Sequence, residues 1–294
     1  MSTHFGEVLT AIVTPFDKRG DVNYQELRKL ASHLIDNGSD GLVVLGTTGE
    51  VPSLTKREKK KVLENIVDEV GDRANIVAGT GSYSTTASIE LTQIAENIGV
   101  DGIMAVVPYY NKPPQEGLYQ HFSQIARNTS LPLMIYNVPG RTSRNINVDT
   151  VCRLAEIENI IAIKEASGNL NQVSNLCRLL DQDFYVYSGD DNLTLPVLSV
   201  GGQGVVSVAS HIVGNQIKEM IREFKKGNLE KAIEINKKLG PVYNGMFITT
   251  NPIPVKAALN MTGSNVGNPR LPLIGIDESE RKKLKEILEG IDLI

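Results

Sequence analysis

The chain has 294 residues, 41% hydrophobic and 22% charged, enough apolar mass for a large soluble core. Thirty Lys and Arg oppose thirty-four Asp and Glu, so the formal net charge is −4, which gathers no phosphate backbone and argues against a nucleic-acid partner. No run reaches the roughly twenty apolar residues that span a bilayer, and residues 1–16 lack the basic and apolar regions of a secretory signal.

A short apolar, β-branched run that ends in polar residues recurs along the chain. The first, residues 9–13, leads to Thr14 and then to a helical stripe of Leu27, Leu30, Ala31, Leu34 and Ile35, with Gly38 as its stop. The second, 41–45, ends in Thr47-Thr48-Gly49-Glu50, and Thr55 with Glu58 has capping-box spacing ahead of Val62, Leu63, Ile66, Val67 and Val70. The third, 75–78, precedes a stripe of Leu91, Ile94, Ala95 and Ile98. Runs at 102–107, 132–136, 160–163, 184–187 and 204–208 complete the series. Continuous apolar runs, rather than alternation, suit strands covered on both faces. Eight such strand-helix units predict a (β/α)8 TIM barrel over residues 1–227. Residues 228–294 contain no strand-like run. They predict a small helical appendage of three helices: one through Ile233, Leu239, Val242 and Met246, one near residues 255–261, and one from Asp277 through Leu288. An open doubly wound sheet is the structural rival, ranked lower because no run opens with a dinucleotide-type glycine fingerprint.

Active sites of such barrels lie at the C-terminal ends of the strands. Here those ends carry Thr14, Thr47-Thr48-Gly49-Glu50, Gly79-Thr80-Gly81, Tyr109-Tyr110-Asn111, Tyr136-Asn137, Lys164-Glu165, Ser188-Gly189-Asp190 and Ser207. Hydroxyls and one amine dominate. Lys164 shares a strand face with Ala162. If that face is the barrel interior, burial disfavours the charged ammonium, and a neutral amine attacks carbonyls; the bland alternative is a lysine snorkelling to water. Tyr136 ends the neighbouring strand, as a proton relay or an ordinary core tyrosine. The hydroxyls and backbone N–H groups of Thr47 and Thr48 suit a small carboxylate, and equally a capped turn. Arg141, in the rigid Val138-Pro139-Gly140-Arg141-Thr142 loop, suits bidentate carboxylate capture, against a plain surface arginine. For Glu50, Glu165 and Asp190, loop organisation is the favoured reading. Together the set fits carbonyl condensation through an imine. Metal hydrolysis, hydride transfer and glycoside cleavage would need metal ligands, a nucleotide fingerprint or paired acids. Four scattered histidines give no metal signature, and Cys152 and Cys177 read as reduced thiols.

Gly46-Thr-Thr-Gly-Glu50, Pro108-Tyr-Tyr-Asn111, Tyr136-Asn-Val-Pro-Gly-Arg-Thr142, Ile163-Lys-Glu-Ala-Ser-Gly168, Ser188-Gly-Asp-Asp191 and Asn251-Pro-Ile-Pro-Val-Lys256 occur in that order. In them the chain resembles the 4-hydroxy-tetrahydrodipicolinate synthase (dihydrodipicolinate synthase) family, from Thr10 to the C-terminal helices. The resemblance implies a cofactor-free lyase. Lys164 would condense with pyruvate, and the enamine would add to L-aspartate-4-semialdehyde. It implies a proton relay of Thr47, Tyr136 and Tyr110, with Tyr110 reaching in from a neighbouring subunit. Thr48 and Val206 backbone groups would hold pyruvate, Gly189 would lie close to the substrate, and Arg141 would bind the semialdehyde carboxylate. It further implies a cytoplasmic homotetramer, a dimer of dimers, in lysine and diaminopimelate synthesis. Related barrels, N-acetylneuraminate lyase and sugar-acid aldolases, lack the arginine and often alter the Thr-Thr pair, both intact here. A non-catalytic metabolite-binding barrel is the remaining alternative. Lysine-inhibited members bind lysine through His, Asn and Glu, where this chain has Lys56 or Lys59, Tyr83 and Ala87; Tyr109 is retained. Added lysines repel a cationic effector, so lysine feedback is expected to be weak or absent. Titrating the activity with lysine checks this, and inhibition at micromolar-to-millimolar lysine would refute it.

Overall fold

The computed structural model describes residues 4–294; residues 1–3, which open the stretch read for a secretory signal, lie outside the described residues. Eight strands, β1 (Val8–Ala11), β2 (Gly41–Val44), β3 (Asn75–Gly79), β4 (Gly102–Val106), β5 (Leu133–Asn137), β6 (Ile160–Glu165), β7 (Tyr185–Ser188) and β8 (Gly204–Ser207), form one closed barrel in sequence order. The recorded pairings are parallel. The (β/α)8 expectation holds. Nearly every strand residue is buried, which is why these runs are apolar without alternation.

The chain divides into two compact units. One comprises residues 4–7 with Asn75–Val206, and the other Val8–Ala74 with Ser207–Ile294. In the first, Leu118, Phe122 and Ile125 of the helix Gln115–Ala126 join Val151 and Leu154 of Val148–Ala155 on a core with Ile103, Ile135 and Ile163. In the second, the helix Tyr24–Asp36 buries Leu27, Leu30, Ala31 and Leu34, and stops before Gly38 at φ +104°. The next helix, Lys56–Val70, opens with the expected capping box: Thr55 accepts from the Glu58 N–H, and the Glu58 carboxylate accepts from the Thr55 N–H. Beyond β8 the chain is helical: Ser210–Lys225, Leu229–Gly245, Ile253–Met261 and Glu278–Glu289. Asp277 caps the last of these with a second capping box. No helix among the described residues is long and apolar enough to cross a membrane.

Strand ends differ from the sequence expectation by one or two residues. The differences of two are at β1, which stops at Ala11 rather than Val13, and at β6, which continues through Lys164 and Glu165 rather than stopping at Ile163.

Candidate active site

Within the first unit, the register of β5 against β6 sets Tyr136 opposite Lys164 and Asn137 opposite Glu165. Lys164 is 6% exposed and so is Tyr136. The Lys164 Nζ lies 4.4 Å from the centroid of the Tyr136 ring. The amine therefore points inward onto a phenol and not into bulk solvent. Gly189, just past β7, leaves the room this requires: a Cβ there would meet Ala166 Cβ at 2.5 Å and Lys164 Cε at 3.1 Å. Its neighbour Asp190 senses the same amine. Burial pushes the Asp190 carboxyl above its ordinary value, while the Lys164 charge pulls it down.

Glu165 faces a cage of donors. Its carboxylate accepts from Asn137 Nδ2 at 3.0 and 3.1 Å, from Gln172 Nε2 at 2.8 Å and from the Ser167 N–H at 2.8 Å. Asn145 links Asn137 to Gln172. With these donors both oxygens of the buried carboxylate are satisfied. Its hydrogen bonds tie the end of β6 to the end of β5. Val206 is fully buried in β8. Arg141 is exposed on the short helix Pro139–Thr142. Tyr110 is 92% exposed at φ +70°, so its ring finds almost no cover within the chain. Tyr109 instead packs edge-on against Tyr83 at 5.5 Å, and burial pushes its phenol up.

Within the second unit, the loop after β2 carries Thr47 half-buried and Thr48 buried. Thr14 Oγ1 donates to the Gly49 carbonyl at 2.7 Å. Asn251 Nδ2 donates to Thr48 Oγ1 at 2.9 Å. Glu50 forms a buried ion pair with Lys256 at 2.6 Å. Asn251 and Lys256 open and close the Asn251-Pro-Ile-Pro-Val-Lys256 motif, whose spacing points to no role for either. Asn251 stands 203 positions from its partner, so no local pattern announces the contact. Among the described residues, no cluster of three or more His, Cys, Asp or Glu is arranged to hold a metal ion. Cys152 and Cys177 are unpaired thiols, and burial pushes both up, Cys177 to about 11.

The model of the dihydrodipicolinate synthetase family matches residues 4–291. The chain belongs to this family. Over 294 residues it is 59% identical to 4-hydroxy-tetrahydrodipicolinate synthase of Desulforudis audaxviator, covering 100% of both chains. A crystal structure of dihydrodipicolinate synthase from Bacillus anthracis is 50% identical, with TM-score 0.96 over 97% of this chain and 98% of that one. A crystal structure of the Cyanidioschyzon merolae enzyme with lysine bound is 46% identical, with TM-score 0.97 over 99% of each chain. The family match takes in every strand of the barrel and all the motifs quoted above.

Proposed function

We propose that the chain condenses pyruvate with L-aspartate-4-semialdehyde to give 4-hydroxy-tetrahydrodipicolinate, in lysine and diaminopimelate biosynthesis, through an imine on Lys164. The reaction is that of the family, in which relatives of 50–59% identity carry the synthase name. The observation that carries the role of Lys164 is its buried amine, 4.4 Å from the Tyr136 ring centroid at the C-terminal end of β6.

In this reading, which follows the family resemblance, each group has a task. Lys164 Nζ adds to the pyruvate ketone carbon, and loss of water gives the imine. Removal of a methyl proton gives the enamine, whose carbon adds to the aldehyde carbon of the semialdehyde. The semialdehyde amine then attacks the imine carbon, closing the ring and releasing Lys164. Tyr136, Thr47 and Tyr110 pass the protons, with Tyr110 supplied by a neighbouring subunit. The 92% exposure of Tyr110 supports that assignment, since a ring so bare in one subunit is available to another. Backbone groups of Thr48 and Val206 hold pyruvate, and the missing side chain of Gly189 leaves room beside Lys164. The exposed Arg141 guanidinium binds the semialdehyde carboxylate with two parallel hydrogen bonds. A homotetramer built as a dimer of dimers, in the cytoplasm, completes the proposal.

Arg141→Ala separates this reading from a sugar-acid aldolase. It is expected to lower kcat/KM for the semialdehyde about tenfold or more, the worth of a charge-assisted hydrogen bond, with the KM for pyruvate little changed. Unimpaired use of the semialdehyde by the variant would contradict the assignment, as would preferred turnover of sugar aldehydes by the wild type.

A further inference from the structure

We propose that Asn251 and the buried Glu50–Lys256 pair are positioning residues that aim the Thr47-Thr48 hydroxyls, linking the C-terminal helical segment to the chemistry. The inference rests on the reading that this threonine pair serves pyruvate binding and proton transfer.

Three consecutive residues of one loop are each anchored. Asn251 is 5% exposed and donates to Thr48 Oγ1 at 2.9 Å. A threonine hydroxyl has one proton to give and two lone pairs. With one lone pair engaged by Asn251, the rotation of the hydroxyl is restricted and its proton is directed elsewhere. At the next residue, the Gly49 carbonyl accepts from Thr14 Oγ1 at 2.7 Å. One residue on, Glu50 sits at φ +54°, a left-handed conformation that is unfavourable for a non-glycine residue and persists only where its surroundings impose it. The surroundings do: one carboxylate oxygen meets Lys256 Nζ at 2.6 Å, and the other accepts from the Arg270 N–H at 2.8 Å. Lys256 Nζ also lies 4.1 Å from the centroid of the Phe16 ring. The Arg270 guanidinium is itself tied to Glu58, to the Ser53 carbonyl and to the Gly20 carbonyl. Asn251 and Lys256 are separated only by the start of the helix Ile253–Met261, so one short segment grips the loop at two points.

Such a pair is an expensive way to gain stability. Lys256 and Glu50 are 1% and 2% exposed at their side chains, and desolvation opposes their attraction. Burial pushes the Lys256 amine down to about 8, against the upward pull of Glu50. Apolar replacements of similar volume are often neutral or stabilising for buried pairs of this kind. What apolar residues cannot do is fix the Glu50 turn and, through it, the direction of the threonine hydroxyls.

Two measurements test this. The first is the double variant Glu50→Gln/Lys256→Met, which keeps both volumes and removes both charges. Its melting temperature should be unchanged or higher, while kcat/KM for pyruvate falls about tenfold or more, as displacement of a binding group predicts. Undiminished kcat/KM would overturn the proposal. The second is a cycle of Asn251→Leu with Thr48→Val. Each single change should lower kcat/KM for pyruvate, and the double variant should be no worse than Thr48→Val alone. Losses that multiply would overturn the role of Asn251. Borohydride trapping of pyruvate on the wild-type chain keeps the two levels apart. A trapped adduct with multiplying losses removes the positioning role only, whereas no adduct removes both it and the function on which it rests.

Discussion

At the scale of single residues, His211 shows how burial selects one protonation state. Its ring is enclosed: Nε2 accepts from the Val13 N–H at 3.2 Å, and Nδ1 lies 2.8 Å from the Val208 carbonyl. A backbone N–H can only donate and a carbonyl can only accept, so the proton belongs on Nδ1 of a neutral ring. Burial accordingly pushes the imidazole down to about 4 from 6.5. The folded value lies below the unfolded one, so the unfolded chain takes up the proton first. The stability this histidine supports is complete above pH 6.5 and is lost as pH falls towards 4. Denaturant midpoints measured from pH 7 to pH 4 should decline, and more shallowly in His211→Gln; equal slopes would count against the neutral ring. At this scale the sequence was partly legible. Lys164 stood out because an apolar run led straight to it. His211 did not, because its partners Val13 and Val208 lie on two segments far apart in the chain. Asn251 was hidden for the same reason.

At the scale of elements, strands and helices were legible wherever periodicity and caps are local. The Thr55–Glu58 box and the stripe from Leu27 to Leu34 are both present as read. The end of β6 was not. Lys164 and Glu165 look like residues that finish a strand, yet β6 carries both, each 6% exposed or less. The reason is the cage of Asn137, Gln172 and the Ser167 N–H, which satisfies the Glu165 carboxylate and lets a charged residue continue the ladder. Asn137 stands 28 positions from Glu165, so no local pattern announces that side of the cage. Glu165→Ala would leave Asn137 and Gln172 with buried donors unmet, at a cost of about 1–3 kcal/mol. The strand ends that set Tyr136 opposite Lys164 would loosen with them. A lower melting temperature together with a reduced kcat is expected, and a variant unchanged in both would show that the cage holds nothing in place.

At the scale of the whole molecule, eight strand-helix repeats close a barrel, and the family match over residues 4–291 takes in all of them. The barrel was legible because each repeat is written locally, and the imine chemistry because one amine stands among hydroxyls at the strand ends. The network of Glu50, Lys256 and Arg270 was not, since Glu50 lies more than 200 positions from both of its partners. The proposed reaction turns on addition of the Lys164 amine to a ketone. The most direct measurement is borohydride reduction in the presence of pyruvate, followed by intact mass and peptide mapping. One reduced pyruvate per chain is expected, carried on Lys164 and absent from Lys164→Ala. An unmodified wild-type chain, or a label carried on any other lysine, would contradict it.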